Sequence, residues 1–339
     1  MTNREKQFRR NERLESLLSE LNNLLTPAEE SVLAQYQAPL YPIVIIVGVP
    51  RSGTTLLLQW LANTAQFAYP SNLLARFYNA PYIGARIQQL LLDPAYNFRD
   101  EFLDVVESVS FNSNLGKTQG ILAPNEFWYF WRRFFKFNHT QKLDEAQLSL
   151  EALQIFKAEL AALEAAFNKP LTMKGLIINW HLPLIAQLLP TAIFVHLVRE
   201  PVFNAQSLLV ARRKFYGSAE TWYSFKPPEY ETLKAHDIYY QVAGQVYYIN
   251  QAIEQGLTAI PATRKTEITY ETFCRQPQIL WQNIIALIAD QTDKLSLTYR
   301  GPDNFACRNK ITVSSFEEEK IIQACHHFFS RNAKQLPNN

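Results

Sequence analysis

The chain has 339 residues, and its 33 Lys and Arg residues against 31 Asp and Glu residues leave a formal charge of +2. That near balance excludes a dedicated nucleic-acid binder, which usually has a strongly basic surface. Apolar residues make up 47% and charged residues 19% of the chain, which excludes a disordered protein. The three cysteines, Cys274, Cys307 and Cys325, are too few and too scattered for a disulfide framework or a zinc site.

Residues 1–38 are predicted to form an N-terminal helical segment. Leucines recur at three- and four-residue steps from Leu14 to Leu25, which is the spacing of one apolar helix face. Thr26 and Pro27 have the residue types of a helix N-cap and a first helical position, so a second helix is expected to begin there. We expect the segment to pack on the rest of the chain. A homodimer contact through the leucine-rich helix is the alternative.

No stretch of the sequence reaches the roughly 18 apolar residues that a membrane span requires. The basic first ten residues are not followed by the apolar core of a signal peptide. We therefore expect a cytoplasmic protein without a transmembrane span.

Residues 39–339 are predicted to form a single α/β domain. Three short apolar runs rich in β-branched residues, at 42–47, 192–198 and 267–270, are typical of buried parallel strands. Helices are predicted at 54–63, 144–168, 201–213 and 239–255, and residues 216–228 are predicted to form a loop or lid. Strands that alternate with helices imply right-handed crossovers and a doubly wound parallel sheet, here with helical insertions.

The turn after the first strand, residues 48–55, has the features of an anion site. Gly48 and Gly53 have the spacing of the nucleotide-binding P-loop, and the amides at the start of the following helix attract phosphate. The lysine of the P-loop is replaced by Thr54, and the basic residue is Arg51 within the loop. The loop therefore predicts an anionic donor that is held by backbone amides and cations.

Arg199 and Ser207 form a second candidate anion site. Arg199 follows the second strand, and Ser207 comes about two turns into the next helix, so both can face the edge of the sheet where ligands bind. A guanidinium and a hydroxyl can hold a phosphate by charge-assisted hydrogen bonds. The strand thus ends in an arginine and not in the carboxylate with which P-loop ATPases hold their metal ion. We predict no metal; a small-molecule kinase with a degenerate P-loop and a non-catalytic nucleotide-binding scaffold are the alternatives.

Together these motifs resemble those of sulfotransferases that use 3′-phosphoadenylyl sulfate (PAPS). The family's 5′-phosphosulfate loop, in the Arg-containing form of bacterial, Golgi and tyrosylprotein members, is similar to Pro50-Arg51-Ser52-Gly53-Thr54-Thr55. Its 3′-phosphate motif resembles the segment from Arg199 to Ser207, and a further segment with a tyrosine near the adenine resembles the one that begins at Tyr270. The cytosolic family's late Arg-Lys-Gly loop is missing. Its cation could be replaced from Arg212, Arg213 and Lys214 or from Arg308, Asn309 and Lys310, and of these Lys310 is the expected phosphate contact.

The resemblance implies a P-loop-NTPase-like doubly wound parallel sheet flanked by helices. It also implies transfer of a sulfuryl group from PAPS, which leaves the bisphosphate PAP, to a hydroxyl or amine of a small-molecule, glycolipid or saccharide acceptor. Arg51 is expected to neutralise charge on the bridging oxygen. Aromatic segments at 127–137 and 222–225 are candidates for the acceptor groove.

Deprotonation of the acceptor hydroxyl needs a general base. Some members carry a glutamate about twenty residues past the loop arginine, but residues 69–76 contain no carboxylate. His181 lies in a His-Leu-Pro sequence that resembles that of the cytosolic enzymes, and Glu126 is flanked by aromatic residues. Both remain candidates for the base.

Overall fold

The computed structural model describes residues 4–96, 109–143 and 148–330. The helices are α1 (Glu12–Leu33), α2 (Thr54–Asn63), α3 (Pro81–Leu92), α4 (Trp128–Phe134), α5 (Leu150–Phe167), α6 (Leu182–Leu188), α7 (Pro201–Tyr216), α8 (Tyr230–Lys234), α9 (Ile238–Thr258), α10 (Tyr270–Arg275), α11 (Pro277–Ala289) and α12 (Ser315–Phe329). The strands are β1 (Val44–Gly48), β2 (Ser113–Asn114), β3 (Lys117–Thr118), β4 (Thr172–Lys174), β5 (Ile193–Val198) and β6 (Lys265–Thr269). Residues 144–147, where a helix was expected to begin, lie outside the described residues.

The central sheet has the strand order β4-β1-β5-β6, and all its pairings are parallel. Ile46 of β1 is in register with Lys174 on one side and with Val195 on the other. The chain passes from β1 to β4 at one flank and then crosses to β5 at the other, so the carboxyl ends of β1 and β5 form a topological switch point. Ligands bind at such points in open α/β sheets. The predicted doubly wound parallel sheet is confirmed.

Alternate residues of β1 belong to two different hydrophobic clusters. Ile45 and Val47 pack with α5, α7 and α9 on one face of the sheet. Val44 and Ile46 pack with α2 and α11 on the other face. Helices cover both faces of the sheet, so β1 is buried from both sides. For this reason its sequence is a continuous apolar run and not an alternation of apolar and polar residues.

The N-terminal helix α1 packs on the rest of the chain. Asn22 is buried and donates from Nδ2 to the carbonyl of Arg76 over 2.8 Å. The buried carboxylate of Glu29 accepts the first amides of α3 at 2.7 and 3.0 Å. The expected helix start at Thr26 is wrong, because α1 continues through Pro27 and the Thr26 hydroxyl donates to the carbonyl four residues before it. The Thr26 hydroxyl, which was expected to cap a second helix, is thus bonded to a backbone carbonyl of α1 itself.

Two leucines of α1 face outward. Leu17 is 60% exposed and Leu24 is 71% exposed, whereas Leu18 and Leu33 are buried. A homodimer contact through this helix stays a prediction, as does the division of the chain at residue 38. Across the described ranges, no helix is both long enough and apolar enough to cross a membrane.

Candidate active site

The loop between β1 and α2 is shaped as an anion cradle. Gly53 caps α2 with a φ of +105°, and a Cβ at this position would lie 2.5 Å from Cδ2 of Tyr270. Arg51 also has a positive φ, 72°, which is unusual for a residue with a side chain. The hydroxyl of Ser52 is buried and has no hydrogen-bond partner within the described ranges. The loop therefore brings amides of the first turn of α2, an arginine and an unpaired hydroxyl to the carboxyl end of β1.

The two motifs that the sequence singled out meet in space. Arg51 donates from Nε to the hydroxyl of Ser207 over 3.3 Å. Arg199 donates from Nη1 to the carbonyl of Arg51 over 2.9 Å, and Asn204 donates from Nδ2 to the carbonyl of Pro50 over 2.9 Å. The segment that follows β5 is thus fixed against the loop that follows β1, at the switch point of the sheet.

Arg199 is held by the segment around residue 308 as well as by the loop. Its Nε donates to Asn309 Oδ1 over 2.9 Å, and its Nη2 donates to the carbonyl of Arg308 over 3.1 Å. The guanidinium carbon lies 4.8 Å from the centre of the Tyr270 ring. Burial lowers the pKa of Arg199 and raises the pKa of Tyr270 to about 12. Both side chains are therefore partly withdrawn from water, where a bound anion interacts strongly with a cation.

A cavity of about 1230 Å³ opens at this edge of the sheet. The predicted site residues that line it are Pro50, Arg51, Gly53, Thr54, Thr55, Glu126, Arg199 and Tyr270. Ser52 and Ser207 are not among its described lining residues. Ser207 nevertheless accepts a hydrogen bond from Arg51, which does line the cavity. The cavity thus joins both anion motifs to one of the two candidate bases.

Lys310 lies away from this cavity. Its side chain is exposed, and its carbonyl accepts a hydrogen bond from Gln206 Nε2 over 2.9 Å. The lining residue from the same segment is Arg308. Arg308 is near Tyr270, since its amide donates to the Tyr270 hydroxyl over 3.2 Å. A phosphate contact of Lys310 stays a prediction.

Glu126 is connected to the anion loop through a lysine. Lys174 Nζ lies 2.6 Å from Glu126 Oε1 and 2.9 Å from the hydroxyl of Thr55. Trp128 donates from its indole nitrogen to the other oxygen of the carboxylate. Sequence reasoning did not assign Lys174 to the site. Its position at the carboxyl end of β4, directly beside β1, would have placed it near the loop. A strand of only three residues, however, is too short to be recognised from the sequence pattern.

His181 lies outside the described lining of the cavity. It precedes α6, and its Nε2 accepts a hydrogen bond from the amide of Leu143 over 3.0 Å. Its ring is therefore held by the chain around residue 143. The choice of base stays a prediction. Of the two candidates, Glu126 lines the cavity and His181 is not among its described lining residues.

The aromatic segments divide between core and cavity. Phe127, Phe130, Trp131, Phe134 and Phe135 are buried in the hydrophobic core. Trp128, Tyr129, Tyr223 and Phe225 line the cavity. Only part of each segment therefore faces a space in which an acceptor can bind. Within the described ranges, no group of three or more His, Cys, Asp or Glu side chains is arranged to hold a metal ion.

One solved structure with a TM-score above 0.5 has a similar fold. Sulfotransferase STF9 from Mycobacterium avium is 15% identical, with a TM-score of 0.52 over 89% of this chain and 78% of that one. Sulfotransferase STF1 from Mycobacterium tuberculosis H37Rv is 12% identical, with a TM-score of 0.47 over 94% and 80% of the two chains. The sulfotransferase domain of the Synechococcus PCC 7002 olefin synthase is 19% identical, with a TM-score of 0.40 over 89% and 98%.

A search of curated proteins gave no significant match. The model of the sulfotransferase family, in contrast, matches residues 42–289. That range includes the anion loop, Glu126, Arg199 and Tyr270, and it leaves out Arg308 and Lys310. Since the match covers well over half of the chain, the protein belongs to the sulfotransferase family.

Proposed function

We propose that this sulfotransferase uses PAPS as its donor and transfers the sulfuryl group to a hydroxyl or amine of a small-molecule, lipid or saccharide acceptor. The observation that carries the proposal is the hydrogen bond between Arg51 and Ser207, at 3.3 Å. It joins the two anion motifs in one site, and PAPS is a donor with phosphate groups at two ends. PAPS, when bound, supplies an activated sulfuryl group and leaves as PAP.

The residues present fit such a donor. The Ser52 hydroxyl is buried without a partner, and the first amides of α2 have no acceptor within their own helix. Gly53, Thr54 and Thr55 line the cavity, so the amides at the start of α2 are donors that a 5′-phosphate bound there satisfies. Arg199 and Ser207 would hold the 3′-phosphate. Tyr270, whose ring lies beside Arg199, would contact the adenine of the donor. The fit therefore rests on unsatisfied donors and on cations of this chain.

Two cations of the chain are available to stabilise negative charge on the oxygen that leaves the sulfur. Arg51 lines the cavity from within the loop. Lys174 lies 2.9 Å from the hydroxyl of Thr55 at the start of α2. Fixed cations in a site that excludes water stabilise charge that develops during a reaction, and such stabilisation is often the largest contribution to catalysis.

Glu126 is the group we propose as general base. Its Oε1 faces the loop, because Lys174 and Thr55 are hydrogen-bonded in series with it. An acceptor hydroxyl in the cavity would pass its proton to this oxygen as the bond from the acceptor oxygen to sulfur forms and the bond from sulfur to the phosphate oxygen breaks. Trp128 holds the second carboxylate oxygen in place, which fixes the direction in which the carboxylate points.

Calorimetry with PAP and with ATP and Mg²⁺ tests the donor. Tight binding of PAP in the absence of a metal ion is the expected result. A preference for ATP with Mg²⁺ would indicate a kinase with a degenerate P-loop, and binding of neither nucleotide would indicate a non-catalytic scaffold. A positive result is followed by a screen of hydroxyl and amine acceptors with radiolabelled PAPS.

A further inference from the structure

The cavity has a much higher positive charge than the chain as a whole. Ten of its described lining residues are Arg or Lys, and two are Glu, whereas the whole chain has 33 basic against 31 acidic residues. The donor site described above accounts for four of the cations: Arg51, Lys174, Arg199 and Arg308. The other six are Arg4, Arg9, Arg10, Arg76, Lys117 and Arg132. Of the two carboxylates, Glu15 accepts hydrogen bonds from the hydroxyl of Tyr129, and Glu126 is paired with Lys174.

Arg4 and Lys117 form a pair of like charges over the same aromatic ring. The guanidinium carbon of Arg4 lies 5.3 Å from the centre of the Phe215 ring, and Lys117 Nζ lies 6.0 Å from it. Phe8 stacks on Phe215 with a centroid separation of 4.7 Å, and Lys117 Nζ is 5.4 Å from its centre. Two cations on an apolar platform repel each other and are incompletely solvated. An anion between them would remove both penalties.

Two further observations indicate that this pair can bind an anion. The Nε of Arg4 is buried and has no hydrogen-bond partner among the residues described. Burial, and then the charge of Arg4, lower the pKa of Lys117. Buried donors are normally satisfied, so an arginine with an unpaired buried nitrogen that faces a lysine has unused capacity to bind an anion.

The backbone beside Lys117 is close to the proposed base. A Cβ on Gly116, the residue before Lys117, would lie 3.4 Å from both Glu126 Oε1 and Thr55 Oγ1. Tyr223 donates from its hydroxyl to the carbonyl of Leu115 over 3.3 Å, and its ring lies 5.5 Å from that of Phe215. The Arg4–Lys117 pair is thus linked to the surroundings of Glu126 through Leu115, Gly116 and Tyr223.

Two further cations, Arg10 and Arg132, line the same cavity as Glu126. The guanidinium carbon of Arg132 is 5.6 Å from the centre of the Trp128 ring, and Trp128 is the residue that donates to Glu126. Burial lowers the pKa of Arg132, and the charge of Arg10 lowers it further. The positive field therefore extends around the acceptor end of the cavity and is not confined to one pair.

We propose that the acceptor is itself an anion, whose carboxylate, phosphate or sulfate group is bound by Arg4 and Lys117 while its hydroxyl or amine faces Glu126. This inference rests on the proposed function and names the chemical class of its acceptor. It also gives residues 4–10 a role in recognition, since this segment supplies Arg4 and Arg10 to the cavity.

Matched pairs of acceptors that differ only in charge test the proposal. The probes are 4-hydroxybenzoate with 4-hydroxybenzamide, glucuronate with glucuronamide, and 12-hydroxydodecanoate with its amide. Binding of each to the protein saturated with PAP is measured by calorimetry, and transfer is measured with radiolabelled PAPS. In at least one pair the carboxylate is expected to bind about tenfold more tightly than the amide, as one charge-assisted contact provides. High salt reduces that preference.

The double variant Arg4→Gln/Lys117→Gln is expected to abolish the preference and to bind PAP normally. The matched control Lys6→Gln/Lys320→Gln removes two charges from exposed positions outside the described cavity lining and is expected to keep it. If the wild type has no preference for the charged member of any pair in binding or in transfer, the inference is wrong. If PAP does not bind to the wild type, the proposed donor is wrong, and the two failures are thereby told apart.

Discussion

Lys174 donates from Nζ to Oε1 of Glu126 over 2.6 Å, although the two residues are 48 positions apart in the chain. Lys174 ends β4, which pairs with β1 in parallel, so its ammonium emerges at the same edge of the sheet as the anion loop. There it also donates to Thr55 at the start of α2. One lysine therefore fixes the distance between the candidate base and the loop that would hold the donor.

Glu126→Gln tests the base. The amide cannot accept the proton of the acceptor, so turnover is expected to fall by about 10²- to 10⁴-fold. PAP affinity is expected to stay near the wild-type value, because glutamine keeps an oxygen that can accept the hydrogen bond from Lys174 Nζ. Transfer of radiolabelled sulfate and calorimetry with PAP measure the two quantities separately.

His181→Ala is the control for this prediction. It removes a hydrogen-bond acceptor from the amide of Leu143, so we expect some loss of thermal stability. Turnover per folded molecule is expected to remain within a few-fold of the wild type. A large loss of turnover in His181→Ala with a nearly active Glu126→Gln would reverse the assignment.

Arg51→Ala tests charge stabilisation at the loop. We expect turnover to fall by a factor on the order of 10²–10³, with little change in melting temperature, since the Arg51 side chain makes its hydrogen bond to Ser207 at the edge of the cavity. Arg51→Lys keeps a positive charge in the loop and is expected to recover part of the loss. Turnover of Arg51→Ala close to that of the wild type would remove Arg51 from the mechanism.

The elements that the sequence predicted best are those with strong local signals. β1 and β5 are continuous apolar runs, and Gly48 and Gly53 mark the turn between β1 and α2. The expectation that Arg199 and Ser207 face the carboxyl edge of the sheet followed from strand ends that meet at one edge of a parallel sheet. Local hydrophobic pattern and sheet topology were sufficient for these features.

The residues that the sequence did not assign depend on tertiary packing. β4 has three residues, which is too short for a periodic pattern, so Lys174 was not recognised as a neighbour of the loop. Arg4 and Lys117 both lie over the ring of Phe215, so their proximity joins segments that are far apart in the chain. Lys310 shows the same limit, because the sequence of an irregular segment does not decide which of two nearby residues lines the cavity, here Arg308 and not Lys310.

Gly53→Ala tests the geometry of the loop. A Cβ at this position meets the Tyr270 ring at 2.5 Å, and the residue has a φ of +105°. We expect a loss of about 2–4 kcal/mol in the free energy of unfolding, from backbone strain and from steric overlap together. PAP affinity is also expected to fall, because the ring that is displaced lies against Arg199.

A double-mutant cycle separates the two causes. Tyr270→Ala removes the overlapping ring, so Gly53→Ala in that background is expected to cost less than in the wild type, while the part due to φ remains. Urea unfolding of the four proteins gives the coupling. Equal costs of Gly53→Ala in both backgrounds would show that the ring plays no part.

Glu159→Gln tests how a buried carboxylate affects stability as a function of pH. Glu159 is 1% exposed and accepts from Arg133 Nη1 and Nη2 at 2.7 and 2.8 Å. Burial raises its pKa to about 7, Arg133 lowers it in part, and the nearby carboxylate of Glu29 raises it. The ordinary pKa of the group is 4.5, so between these values the folded protein retains a proton that the unfolded chain has lost.

In that window the contribution of Glu159 to the free energy of unfolding falls as the pH rises, and it is constant above about pH 7. The full change is at most about 3 kcal/mol. Glutamine does not titrate, so the difference in stability between wild type and Glu159→Gln is expected to shift in favour of the variant from pH 5 to pH 7. Urea unfolding at pH 5, 6, 7 and 8 measures it. Glu151→Gln, an exposed change in the same helix, is the control, and its free energy of unfolding is expected to change with pH as that of the wild type does. If the pH dependence of Glu159→Gln also parallels that of the wild type, Glu159 is ionised throughout.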